Sequence, residues 1–131
     1  MTPREVFARM SEEWVGEGPG VWADDVVVES PFARPGHPRR MEGIEEFMKI
    51  AVPGRAAMPV TFNRCEVVHT HDTTDPNTIV VEYDLHATLN ATGQQHSARF
   101  IGVLTARDGK VALWREYQNT AAIDAALAGQ W

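Results

Sequence analysis

Between Thr78 and Tyr117, apolar and polar residues alternate with period two in three runs, 78–89, 96–106 and 110–117. The runs are separated by Ala91-Thr92-Gly93-Gln94 and by Arg107-Asp108-Gly109-Lys110. Alternation sends successive side chains to opposite faces, so each run predicts a strand with one face to cover. Asp108-Gly109 is the sharper turn signal, because a short primed turn needs positive φ and glycine adopts it at no steric cost. Two hairpins in series predict an antiparallel meander, and the rest of the chain has to pack against it.

The upstream residues supply that cover. Thr2-Pro3-Arg4-Glu5 opens a helix with a capping hydroxyl, a proline at the first helical position and a glutamate placed to close a capping box. Val6, Phe7, Met10 and Trp14 give it an apolar stripe, and Gly16-Glu17-Gly18-Pro19-Gly20 should stop it. The stretch 21–25 reads as a single turn, and 26–29 as a short β-branched strand ended by Ser30-Pro31. Pro35, Gly36 and Pro38, set among Arg34, Arg39 and Arg40, describe an exposed loop that could border a pocket. A second helix is expected from Gly43 to Ala51, stopped by Pro53-Gly54, then a strand from about Val60 to Thr70. Asn119 or Thr120 can cap a final helix ending at Gly129. Helix, strand, helix and then four strands is an α+β order: a curved antiparallel sheet with its helices gathered on one face.

At 131 residues the chain reads as one domain, 1–131, long enough to bury roughly two-thirds of its unfolded surface. A formal charge of −6 with no basic stripe argues against nucleic acid as a partner. No run of about eighteen apolar residues and no apolar leader segment is visible, so a cytoplasmic chain with no membrane partner is expected. The single cysteine, Cys65, cannot form an internal disulfide and reads as a half-buried, inert thiol.

Several stretches resemble the SnoaL-like and ketosteroid-isomerase-like proteins of the nuclear transport factor 2 superfamily, polyketide cyclases among them. They are Val21-Trp22-Ala23-Asp24-Asp25-Val26-Val27-Val28-Glu29-Ser30-Pro31, the Glu42-Gly43-Ile44 helix start, and Arg107-Asp108-Gly109-Lys110-Val111 with Arg115-Glu116-Tyr117. The resemblance implies a conical α+β barrel enclosing an apolar pocket, and a homodimer through the outer sheet face. It specifies fold more than chemistry, since the superfamily holds isomerases, cyclases, dehydratases, hydrolases and non-catalytic binders. On the isomerase pattern the pocket face carries Tyr83, Leu85, Ala87 and Leu89, then Ala98, Phe100, Gly102 and Leu104, then Ala112, Trp114, Glu116 and Gln118. Trp14, Trp22, Ser30 and Phe47 complete the expected pocket. Ile101, Val103, Val111, Leu113 and Tyr117 face outward, enough apolar surface for a dimer seam.

The isomerase machinery is absent. Ser30 stands at the base position, Gly102 at the acid position, and the first helix has no tyrosine. What remains is Glu116, in a run Arg115-Glu116-Tyr117-Gln118-Asn119 similar to that of the phenazine-biosynthesis A/B branch, whose glutamate acts as acid and base. A carboxyl group desolvated in an aromatic-walled cavity is pushed towards its neutral form, which suits it to proton transfer. His69 and His71 share a strand face at a spacing compatible with metal ligation, but no third ligand accompanies them, and His37 reads as a loop residue. Neither metal nor cofactor is expected. Three readings of function stay open, the first two being a cofactor-free isomerase, cyclase or dehydratase acting on an apolar, polycyclic or carbonyl-bearing metabolite, and a binder of a small apolar molecule. A third is a dimerisation module.

Overall fold

The computed structural model describes residues 1–15 and 20–128. The expected helix stop at 16–19, the end of the last helix at Gly129 and the position of Trp131 lie outside them. The elements run α1 (Pro3–Val15), β1 (Trp22–Glu29), β2 (Arg40–Glu42), α2 (Ile44–Ala57), β3 (Val60–Asp72), β4 (Thr78–Leu89), β5 (Gln95–Arg107), β6 (Lys110–Tyr117) and α3 (Thr120–Ala126).

The capping box forms as the sequence dictates. Glu5 N–H donates to Thr2 Oγ1 and Thr2 N–H donates to Glu5 Oε1, both at 3.2 Å. Asp108 and Gly109 take φ of 53° and 74°, and the β5–β6 hairpin closes on that turn. Asn119 Oδ1 accepts from Ala122 N–H at 3.1 Å and starts α3.

One six-stranded sheet carries the fold, in the order β2-β1-β6-β5-β4-β3. It is mixed rather than wholly antiparallel, because β1 pairs in parallel with β6, and it is not closed into a barrel. α1 crosses the inner face over β3 to β6, α2 covers β1 and β2, and α3 lies against β5. Val6, Phe7 and Met10 of α1 pack onto Val26, Val81, Tyr83, Leu104, Val111 and Trp114, all buried.

Four expectations are corrected. Residues 22–25 form the start of β1 rather than a turn: Val111 N–H donates to Val21 O at 2.7 Å and Trp22 pairs with Val111. The pairing then shifts register before Val27, at the exposed Asp24 and Asp25 that had suggested a turn. The end of the 32–40 loop becomes β2, whose three residues are too few to show a period. α2 continues through Pro53 to Ala57, since the exposed side of the helix leaves the unmatched carbonyl in water and proline's φ already suits a helix. Arg55, beyond the expected stop, donates from its guanidinium to the carbonyl oxygens of Glu13 and Trp14, closing the last turn of α1. In β6 the register shifts between the pairs Thr105–Leu113 and Ala106–Val111, leaving Ala112 unpaired. That bulge turns Val111 inward to complete burial, where simple alternation had placed it outside and Ala112 inside.

Candidate active site

The inner face of the sheet, α1, α2 and α3 form a cavity of about 810 Å³ that the 30–38 loop also lines. Trp14 from α1, Trp22 from β1, Phe47 from α2, Leu85 from β4 and Phe100 from β5 form its apolar wall, with Ser30 at the end of β1. Trp22 and Phe47 meet edge to face at 4.8 Å, and Trp22 Nε1 donates to Glu13 Oε2 at 2.6 Å.

Glu116 and Gln118 bring polarity to that wall. The hairpin register sets Glu116 opposite Gly102, and its alternation with Trp114 turns it inward. Tyr83 donates its hydroxyl proton to Glu116 Oε2, and Gln118 Nε2 donates to Oε1 at 3.2 Å. Burial raises the carboxyl above the ordinary glutamate range, while the two hydrogen bonds oppose that rise by favouring the anion. The nearby cations are engaged elsewhere: Arg115 pairs with Glu29 at 3.1 Å and Arg99 with Asp84 at 2.9 Å. Tyr83 is raised well above its ordinary value, first by burial and then by the Glu116 charge. Burial, followed by the charges of Glu116 and Asp84, pushes the Cys65 thiol up to about 12, which keeps it protonated and unreactive.

Four residues expected on the pocket wall lie behind it. Tyr83, Gly102, Leu104 and Trp114 belong to the packed narrow end of the sheet–helix sandwich. The reason is visible at Gly102: a Cβ built there would come within 2.0 Å of Trp114 Cη2, so the indole occupies the space that a side chain at this position would take. Trp114 in turn packs against Phe7, Trp14 and Tyr83, with ring centroids 6.0, 5.6 and 6.1 Å away. Tyr83 thus reaches the cavity through Glu116. Alternation alone put Tyr83 on the correct face, but β5 separates β4 from β6, so strand-by-strand reading gave no sign that phenol and carboxyl would meet.

The histidines divide differently from their spacing. His37 lies on the cavity wall, and so does His96, which the sequence reading did not single out. His71 Nε2 lies 2.7 Å from Glu82 Oε2, and its ring is 6.1 Å from that of His69. Among the described residues, the group with ligand atoms close enough for a cation is Glu66, Asp84 and His86 on the outer face. Asp84 there is held by Arg99, and His86 Nε2 lies 3.1 Å from Glu66 Oε1.

Known proteins share this arrangement of elements. The uncharacterized protein YesE of Bacillus subtilis (strain 168) is 25% identical over 137 residues, covering 99% of this chain and 87% of its own length. The uncharacterized PhzA/B-like protein PA3332 of Pseudomonas aeruginosa is 29% identical over 112 residues, covering 82% of this chain and 77% of that protein. A solved Catenulispora acidiphila protein with a ketosteroid isomerase-like fold superimposes with a TM-score of 0.72 over 100% of this chain and 98% of its own. At 14% identity that likeness establishes the fold alone. The SnoaL-like domain matches residues 4–114, most of the length of the chain, and the chain belongs to that family.

Proposed function

We propose that this protein is a small cofactor-free enzyme in which Glu116 transfers protons to and from an apolar, carbonyl-bearing metabolite held in the cavity. Isomerisation, cyclisation and dehydration of such a molecule share one step, removal of a proton beside a carbonyl and its return elsewhere. A carboxyl group with its pKa raised by burial, facing an apolar cavity while Arg115 and Arg99 pair with other carboxylates, supports that reading. Burial favours its protonated form relative to a free glutamate, and desolvation strengthens its interaction with charge developing on the substrate. Gln118 and Tyr83 hold the two oxygens and so fix the direction from which the remaining lone pairs meet the substrate. The cavity volume falls in the range that takes a polycyclic metabolite.

Glu116→Gln retains the shape and removes the transferable proton. Turnover should fall by about 10²- to 10⁴-fold, while binding of the substrate or of a co-purifying ligand survives. Unchanged turnover would remove Glu116 from the chemistry.

A second reading is a hydrophobic-ligand carrier of the same fold. It is favoured by the neutral Ser30 and by the indole-filled space at Gly102, which leave two positions of the isomerase pattern without an ionisable group. Native mass spectrometry of the purified protein separates the two: a carrier retains one unaltered small molecule, whereas an enzyme supplied with that molecule releases a product.

A further inference from the structure

Ser30 follows the last residue of β1, and its N–H donates to Arg39 O at 2.9 Å, so the backbone is still held beside the β2 strand there. β1 and β6 run in parallel, with Val28 beside Trp114 and Glu29 beside Arg115. One step further, the same register sets Ser30 beside Glu116, the two backbones about 5 Å apart. Alternation turns both side chains inward, because Val28 and Trp114, two residues back, are buried in the core. Both Ser30 and Glu116 keep some accessible surface, and both line the cavity.

The surroundings of Glu116 leave it open on that side. Towards β5, the indole of Trp114 fills the space over Gly102, and Tyr83 reaches across to one carboxyl oxygen. Gln118 holds the other oxygen. A molecule in the cavity therefore meets the carboxyl from the side of Ser30. Among the described residues the Ser30 hydroxyl has no hydrogen-bond partner, and its oxygen is not a buried atom. A free donor thus stands next to the carboxyl.

We propose that Ser30 is a further catalytic residue, whose hydroxyl donates a hydrogen bond to the carbonyl oxygen of the substrate while Glu116 takes a proton from the adjacent carbon. This rests on the reading of Glu116 as the proton-transferring group. The Glu116 carboxylate removes the proton, the C–H electron pair becomes a C=C bond, and the carbonyl π pair moves onto oxygen. The hydrogen bond from Ser30 stabilises the resulting enolate, and the serine keeps its own proton. Return of the proton from Glu116 to carbon, at the same or a conjugated position, restores the carbonyl. Such a donor, fixed where negative charge develops, strengthens its hold as the reaction proceeds.

A ketone and its hydrocarbon counterpart test the assignment. 2-Tetralone and tetralin share one bicyclic body, and the ketone adds a carbonyl that accepts hydrogen bonds and donates none. Chemical-shift titration of the isotope-labelled wild-type protein should show the ketone bound about 3- to 10-fold more tightly, the worth of one hydrogen bond. Ser30→Ala should abolish that preference, and Ser30→Thr, which keeps the hydroxyl, should retain it. Exchange of the ketone's α-hydrogens in D2O, followed by proton NMR, reads the chemistry. The wild type should accelerate exchange, Ser30→Ala should slow it by about 10²-fold, and Ser30→Thr should recover most of the loss. Equal affinities in the wild type, or a preference or exchange rate that survives Ser30→Ala, overturns the proposal. If Glu116→Gln loses the exchange and Ser30→Ala keeps it, the role of Ser30 falls alone. If Glu116→Gln keeps the exchange, the proton-transfer reading falls. A wild type that binds neither probe, or leaves exchange at its rate in buffer, removes both.

Discussion

Gly102 and Trp114 show how one missing side chain shapes the site. The indole fills the space over the glycine, so Gly102→Ala forces a buried ring, 4% exposed, to move. Urea denaturation should show a loss of about 1–3 kcal/mol, the usual range for overpacking a core. Replacing Trp114 by a smaller residue in the same chain should make that loss less than additive. Glu116 carries a different signature. Its folded pKa lies above the unfolded one, so between the two values the native state holds more protons than the unfolded state. The stabilisation from this group is complete below the unfolded pKa and disappears as pH rises through the folded one. Glu116→Gln should therefore be more stable than the wild type at neutral and alkaline pH, with the gain shrinking as the solution is acidified. Thermal melts from pH 4 to pH 8 check the sign. The inward face of Glu116 was readable from alternation and the Asp108-Gly109 turn. Its partner Tyr83 was not, because their contact passes over an intervening strand.

Among the elements, the meander was legible because each strand runs eight to thirteen residues with one buried face and a strong turn at either end. Elements set by tertiary pairing were not. The start of β1 carries two aspartates and looks like a turn until β6 lies beside it, and β2 exists because β1 offers it an edge. The bulge at Ala112 breaks the period that alternation relies on, and so reverses Val111. Pro53 was read as a terminator, yet the helix it interrupts is secured beyond it by Arg55 at the end of α1. Pro53→Ala restores one backbone donor within α2. It should stabilise the protein by about 1 kcal/mol, less than the roughly 3 kcal/mol separating proline from alanine in an isolated helix, because proline also restricts the unfolded chain. Differential scanning calorimetry measures it, and a lower melting temperature would show that proline's restriction of the unfolded chain outweighs the restored donor.

For the whole molecule, the outer face of the sheet holds Ile101, 42% exposed, with Val103, Leu113 and Tyr117 partly exposed around it. An apolar band in the middle of a sheet otherwise covered by ion pairs is expected to close against a second copy. Sedimentation equilibrium at micromolar concentration should give twice the chain mass, and Val103→Glu should reduce it to one. A monomer in both would dismiss the seam. The sheet order has a further consequence, for synthesis. β6 slots between β1 and β5, so Val27 meets Leu113 with β2, α2, β3, β4 and β5 lying between them along the chain. Until residues 110–117 have left the ribosome, β1 and β5 each present an unpaired edge, and Ser30 and Glu116 belong to no common cavity. The nascent chain thus carries an open β1 edge from the time β1 emerges, gains the open edge of β5 shortly before β6 follows, and completes the cavity only when β6 fills the gap.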